Sequence, residues 1–167
     1  MKDKKLLSDI KEYLKCYENQ VLEDWYELIR HISVSETGEG IETCCDWIQK
    51  KMEEIGIQVT KYSVKPAPVL VGRFGNDPEK KTVLIYAHYD VKPAGERKLW
   101  HSDPFVPTVR DGKVYARGSA DNKSPLMAHL KALEYFIRRK MEVPVNVIFV
   151  FEGDEECGSR GLEEFLA

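Results

Sequence analysis

The sequence predicts an α/β fold, on three observations. Amphipathic stripes of helical period open the chain, a strand-rich stretch follows from Ile57, and strand and helix alternate after it. The apolar runs Val83 to Ala87 and Val145 to Phe151 show no polar alternation, the texture of strands covered on both faces. Both runs lead directly into polar sequence, HYD after the first and EGDEE after the second, and the carboxyl ends of strands are where α/β folds keep their chemistry.

Each element has its own signal. Leu6, Ile10, Leu14, Tyr17, Val21, Trp25, Leu28 and Ile29 recur at three and four, one face of a helix, with an interruption expected near Glu18-Asn19. Ile41, Cys44, Cys45, Ile48, Met52 and Ile55 repeat the period, and Gly56 supplies a stop. Strands are expected around Ile57 to Val64, Val69 to Phe74 and Val83 to Ala87, separated by Pro, Gly and Asn-Asp-Pro turns. Asp111-Gly112, between VPTVR and KVYAR, signals a hairpin. Leu126, Leu130, Leu133, Phe136 and Ile137 mark a further helix with Pro125 near its start. Val145 to Phe151 is the next strand, and a last helix begins near Ser159. The Pro-containing stretch from Lys65 to Pro68 is too short for a linker, so no internal boundary is drawn.

Composition limits the function classes. At 167 residues, 43% hydrophobic and net charge −3, the chain can bury one domain-sized core and has no basic excess to attract nucleic acid. The start, MKDKKLLSDI, is charged and lacks an apolar signal region, and no stretch approaches the roughly 20 apolar residues of a membrane span. A cytoplasmic chain with neither nucleic-acid nor membrane partner is expected. Cys16, Cys44, Cys45 and Cys157 form no CxxC pair, and the adjacent Cys44 and Cys45 read as packing residues.

The chemistry-bearing residues cluster. His88 supplies an imidazole nitrogen, and Asp and Glu supply oxygen, a donor mixture that suits zinc ahead of manganese or cobalt. Asp90 lies two residues beyond His88, on the same side of an extended segment, where it can take the other ring N–H and fix the tautomer. Adjacent Glu155 and Glu156 point to different sides, so one can bind metal while Glu155 handles a proton as general base. Taken singly, a strand-end histidine is usually an ordinary loop residue and an acidic run a solvated turn. Polar knots following successive apolar strands or tight turns make a metal site the better reading. His129, His31 and His101 read as a surface residue, a helix-end residue and a residue at the rim of the site. Arg117 pairs equally well with a substrate carboxylate or with a local acid such as Asp111, and Cys157, next to Glu156, would touch a metal only in a damaged site, the less favoured reading.

The segments AHYDVKPAG, LWHSDPF, DGKVYARGSADNKSP and PVNVIFVFEGDEECGSRG, with the closing GLEEFL, resemble the dinuclear-zinc M20 metallopeptidases, particularly their dipeptidase branch related to carnosinases. The resemblance is dense from Val83 to Leu166 and looser before Gly72. It implies a three-layer α/β/α domain with a mixed sheet. His88 becomes a ligand of one metal, Asp90 the acid that orients it, Asp121 the carboxylate bridging both metals, Glu155 the general acid/base and Glu156 a ligand of the other metal. It also implies a cis peptide between Asp121 and Asn122, two zinc ions, a small peptide substrate, and hydrolysis in which Glu155 takes a proton from water and returns it to the departing amine.

Departures accompany the match. Ala116 and Ser124 stand where the family usually has glycine, and the family's next metal-ligand Asp and distant His have no counterpart among these residues. Residues 1–167 are therefore expected to be the N-terminal portion of a catalytic domain, without the lid and dimerisation domain. Two functional classes follow from this. One is a dipeptidase completed by a C-terminal region in trans or in a longer product; the other is a noncatalytic remnant that binds metal weakly or not at all. Uncovered apolar strands also predict self-association.

Overall fold

The computed structural model describes residues 2–167. α1 (Lys2–Arg30) and α2 (Ile41–Glu54) precede the strands β1 (Gln58–Tyr62), β2 (Val69–Phe74) and β3 (Thr82–His88). The short strands β4 (Thr108–Arg110) and β5 (Lys113–Tyr115) are followed by α3 (Lys123–Arg138), β6 (Asn146–Glu152) and α4 (Arg160–Leu166). α1 runs unbroken through Glu18-Asn19, contrary to expectation. Neither residue is a glycine or proline, so nothing there removes a hydrogen bond from the ladder. Tyr13 also packs edge-on to Tyr135 of α3 at 5.1 Å, which holds the middle of the helix.

The turn into α2 depends on Gly40. Its φ is 71°, and a Cβ there would meet the Ile32 carbonyl oxygen at 2.0 Å. The β4–β5 hairpin turns on Asp111 and Gly112, both with positive φ, as the pairing of their flanking strands requires.

The main sheet has the order β1-β2-β6-β3, antiparallel except for the parallel β3–β6 pair. It is therefore mixed, as expected. α2 and α3 pack on one face, where Ile48, Met52, Leu126 and Leu130 close over Leu70, Ala87, Phe149 and Phe151. α4 lies by β2, with Phe165 against Tyr62 at 4.8 Å, and supplies a short third layer. Cys44 and Cys45 are buried core residues, and the cysteines are free thiols.

β3 corrects one expectation. β6 lies between two partners and buries Phe149 and Phe151 on one face while Ile148 and Val150 on the other are half-buried, and β3 is an edge strand among the described residues. Val83, Leu84 and Tyr86 are 42%, 63% and 44% exposed. Leu84 and Tyr86 alternate onto the face opposite Ala87, beside the half-buried Ile148 and Val150. An apolar run shows what a strand is suited to, and the neighbours it meets decide how far it is buried. No helix among the described residues is long and apolar enough to cross a membrane.

Candidate metal centre

The parallel pairing of β3 and β6 brings their carboxyl ends to one edge, with His88 opposite Glu152. The Tyr89 N–H donates to the Glu152 carbonyl at 2.8 Å, carrying the extended backbone beyond the strand. Side chains consequently continue to alternate. Tyr89 goes into the core with its hydroxyl donating to the Pro68 carbonyl, while His88 and Asp90 share the other side.

Asp90 is fully buried and serves both strand ends. Its Oδ1 lies 3.2 Å from His88 Nδ1 and accepts from the Glu155 N–H at 3.2 Å, while Oδ2 accepts from the Glu156 N–H at 3.1 Å. Burial opposes ionisation of Asp90, but bonds from His88, Ser35 and the Glu156 backbone outweigh it and hold the carboxyl below the usual range. His88 is 4% exposed. Its Nε2 stands 3.1 Å from Asp121 Oδ1 and 3.6 Å from Glu155 Oε2. Burial disfavours the imidazolium, yet the bond to Asp90 and the charges of Asp90, Glu155 and Asp121 prevail, so the pKa rises to about 9.

Asp121 sits on the turn between Gly118 and α3, and its peptide with Asn122 is cis. Gly118 has φ 77°, and a Cβ there would meet Val91 Cγ1 at 2.5 Å. The glycine thus lets this turn lie against the segment leaving β3. Glu155 and Glu156 begin a single 3-10 turn, Glu155–Cys157, that follows β6. Asp154 anchors what comes next by accepting from the Arg160 backbone and guanidinium. The structure thus gathers His88, Asp90, Asp121 and Glu155. The Glu156 carboxylate lies 3.7 Å from Lys92 Nζ, and Lys92 also donates to the Glu156 carbonyl.

The donors fit a divalent cation in kind and, for one pair, in spacing. Once the ring gives up its second proton, with Nδ1–H committed to Asp90, Nε2 has a lone pair to offer a cation. Two ligands of one tetrahedral zinc stand about 3.3 Å apart, and Nε2 and Asp121 Oδ1 are 3.1 Å apart. Among the described residues, however, no three His, Cys, Asp or Glu side chains close around a single point.

Other candidates lie elsewhere. His129 and His101 are exposed, and the His31 ring lies by Trp47 at 5.4 Å. Among the described residues Arg117 pairs with no acid, Asp111 included; it donates to the Pro93 carbonyl at 3.3 Å and lies over the Trp100 ring. Cys157 Sγ approaches Ser35 Oγ at 3.5 Å. Sequence reasoning missed Glu152, Ser33 and Lys123. Glu152 is buried and accepts from the Tyr86 hydroxyl at 2.6 Å and from Ser159 at 2.7 Å. Its place at the end of an apolar run was a usable signal. Lys123 lies in the ADNKSP stretch around Asp121 and Ser33 in the ISVS turn, but neither stretch by itself assigns these two side chains a role.

Comparison with known proteins decides the family. The family described as peptidase family M20/M25/M40 matches residues 84–167. The chain belongs to this family. The Cys-Gly metallodipeptidase dug1 of Schizosaccharomyces pombe is 43% identical over 120 residues, which cover 70% of this chain and 25% of that protein. The human Beta-Ala-His dipeptidase is 46% identical over 99 residues, covering 59% of this chain and 20% of that one. Among solved structures, human carnosine dipeptidase 1 superposes with a TM-score of 0.90 at 31% identity, over 96% of this chain and 37% of that chain. Dug1p of Saccharomyces cerevisiae gives 0.85 at 29% identity, over 96% and 37%. This M20 chain thus spans about a quarter of the length of the curated dipeptidases it matches.

Proposed function

We propose that residues 1–167 form the N-terminal part of an M20 catalytic domain that hydrolyses the peptide bond of small, dipeptide-type substrates. The observation that carries this reading is His88, held at Nδ1 by Asp90 and facing Asp121 and Glu155 with Nε2. His88 and Asp121 would hold one cation, and Asp121 and Glu156 the other. When bound, the cations, zinc foremost, supply Lewis-acid polarisation of the scissile carbonyl and lower the pKa of water toward neutrality. Asp90 fixes the ring and, through the Glu155 and Glu156 amides, the turn beside it. Glu155, whose side chain is 43% exposed, takes the proton of the attacking water on its carboxylate and returns it to the departing amine.

A second reading is a noncatalytic chain. It draws on the Glu156 carboxylate lying by Lys92 and on the absence, among the described residues, of three donors closing on one point. With His88, Asp121 and Glu156 as the ligands, each cation of a pair has at most two, below the three typical of catalytic zinc, so weak binding is expected.

Zinc calorimetry with elemental analysis, and hydrolysis assays on Cys-Gly and β-Ala-His, separate the two readings. The first expects zinc uptake that His88→Ala abolishes. In a form long enough to turn over substrate, it expects Glu155→Gln to keep metal and lose at least about 100-fold in rate, and Asp121→Asn to lose metal. A Glu155→Gln enzyme near wild-type rate removes the general base. Zinc uptake indifferent to His88→Ala removes the site.

A further inference from the structure

Ser33 and Lys123 attach the candidate centre to one short segment where α1 ends. The last carbonyls of a helix lack intrahelical partners. Lys123, 1% exposed, donates from Nζ to two carbonyls there, Leu28 at 3.1 Å and His31 at 2.5 Å. The stem of Lys123 runs past Gly118, where a Cβ would stand 3.5 Å from Lys123 Cδ, and the Lys123 N–H donates to the Gly118 carbonyl at 3.2 Å. These bonds close the turn that carries Asp121.

Two residues beyond His31, Ser33 grips the other side of the centre. Its hydroxyl donates to the Tyr89 carbonyl at 2.6 Å, and its carbonyl accepts from the Val91 N–H at 2.8 Å, bracketing Asp90. The end of α1 therefore braces both the exit of β3 and the Asp121 turn. The Asp121 side chain is 75% exposed, and its one side-chain hydrogen bond among the described residues is to His88. Its placement accordingly depends on how the turn backbone is held.

Resting on the metal reading above, we propose that Lys123 is a positioning residue. By seating its Nζ on the end of α1, it sets the separation between Asp121 and His88 at which both can share a cation. A methionine would fill the same buried space, so packing alone gives no reason for a donor here. Reach to two carbonyls does.

Cobalt titration of the full chain, read by its visible ligand-field absorption and by competition with a chromophoric chelator, tests this. A circular dichroism melt checks folding in parallel. Lys123→Met is expected to fold, to lose about 10- to 100-fold in cobalt affinity, as for other partners that orient ligands, and to show an altered spectrum. Lys123→Arg, which keeps donors for both carbonyls, is expected to restore the wild-type spectrum, with Lys123→Gln between the two. Wild-type affinity and spectrum in folded Lys123→Met overturn the proposal. If that variant does not fold, wild-type affinity in folded Lys123→Gln overturns it equally. A wild-type chain that binds no cobalt overturns the metal reading and this proposal with it, an outcome distinct from binding that Lys123 substitutions leave unchanged.

Discussion

The donors to Asp90 include an imidazole and two backbone amides, so its two oxygens are shared among several donors across a gap between strand ends. An asparagine has the same shape but only one acceptor oxygen, and must turn an NH2 group toward one of those donors. Asp90→Asn is expected to cost about 1–3 kcal/mol, the range for a buried donor left unsatisfied, and to lower the thermal midpoint. A midpoint equal to wild type would show that the bracing bonds contribute nothing to folding. Thiol reactivity offers an independent check on the core. Burial pushes the Cys45 thiol up to about 12 and raises Cys44 as well, so at pH 8 neither forms appreciable thiolate. Cys16 is exposed. Native labelling at pH 8 is expected to modify Cys16 readily and Cys44 and Cys45 only after unfolding, with equal labelling rates showing an open core.

Between elements, Asp24 of α1 links α2 and α3. It pairs with Lys51 at 3.0 Å and also with Lys131, which in turn meets Glu134 at 2.6 Å. Burial works against the Asp24 carboxylate, but the bonds from Lys131 and Lys51 prevail and lower its pKa. A depressed folded-state pKa contributes stability that is fully present above the unfolded value, near 3.9. That contribution is lost as pH falls through the lower folded value. Unfolding free energies from urea titration of wild type and Asp24→Asn are therefore expected to differ by about 1–3 kcal/mol near pH 7 and to converge in the acid range below pH 4. A gap that widens on acidification would reverse the sign and exclude this linkage.

At the scale of the whole molecule, the sheet has one well-covered face and one that α4 covers only in part. Leu84, Tyr86, Ile148 and Val150 leave an apolar strip beside the edge of β3, and an unpaired apolar edge is a template for association. Concentration-dependent self-association with hydrophobic-dye binding is expected in gel filtration. Leu84→Lys is expected to reduce both while leaving the melting midpoint within a few degrees, because Leu84 is 63% exposed and contributes little burial. A wild-type monomer that binds no dye would show the strip to be harmless.

Local chemistry was enough for much of this protein. Val69–Phe74 is the strand its residues predict, Asp111-Gly112 turns the hairpin, and Pro125 lies in the first turn of α3. These features depend on neighbours in the chain, and so does the placing of His88 and Asp90 on one side of an extended segment. The continuity of α1 was harder to read, because Tyr13 meets Tyr135 from a distant helix. Exposure of β3 depended on which strands lie beside it, and the Glu156 carboxylate on the distant Lys92. Ser33 and Lys123 act through backbone carbonyls and amides of other segments, contacts that leave no periodicity or spacing in a sequence. The sequence alone supplied the candidate donors; only the tertiary structure decided which of them meet, because the parallel pairing of β3 with β6 and the turn before α3 bring together residues far apart in the chain.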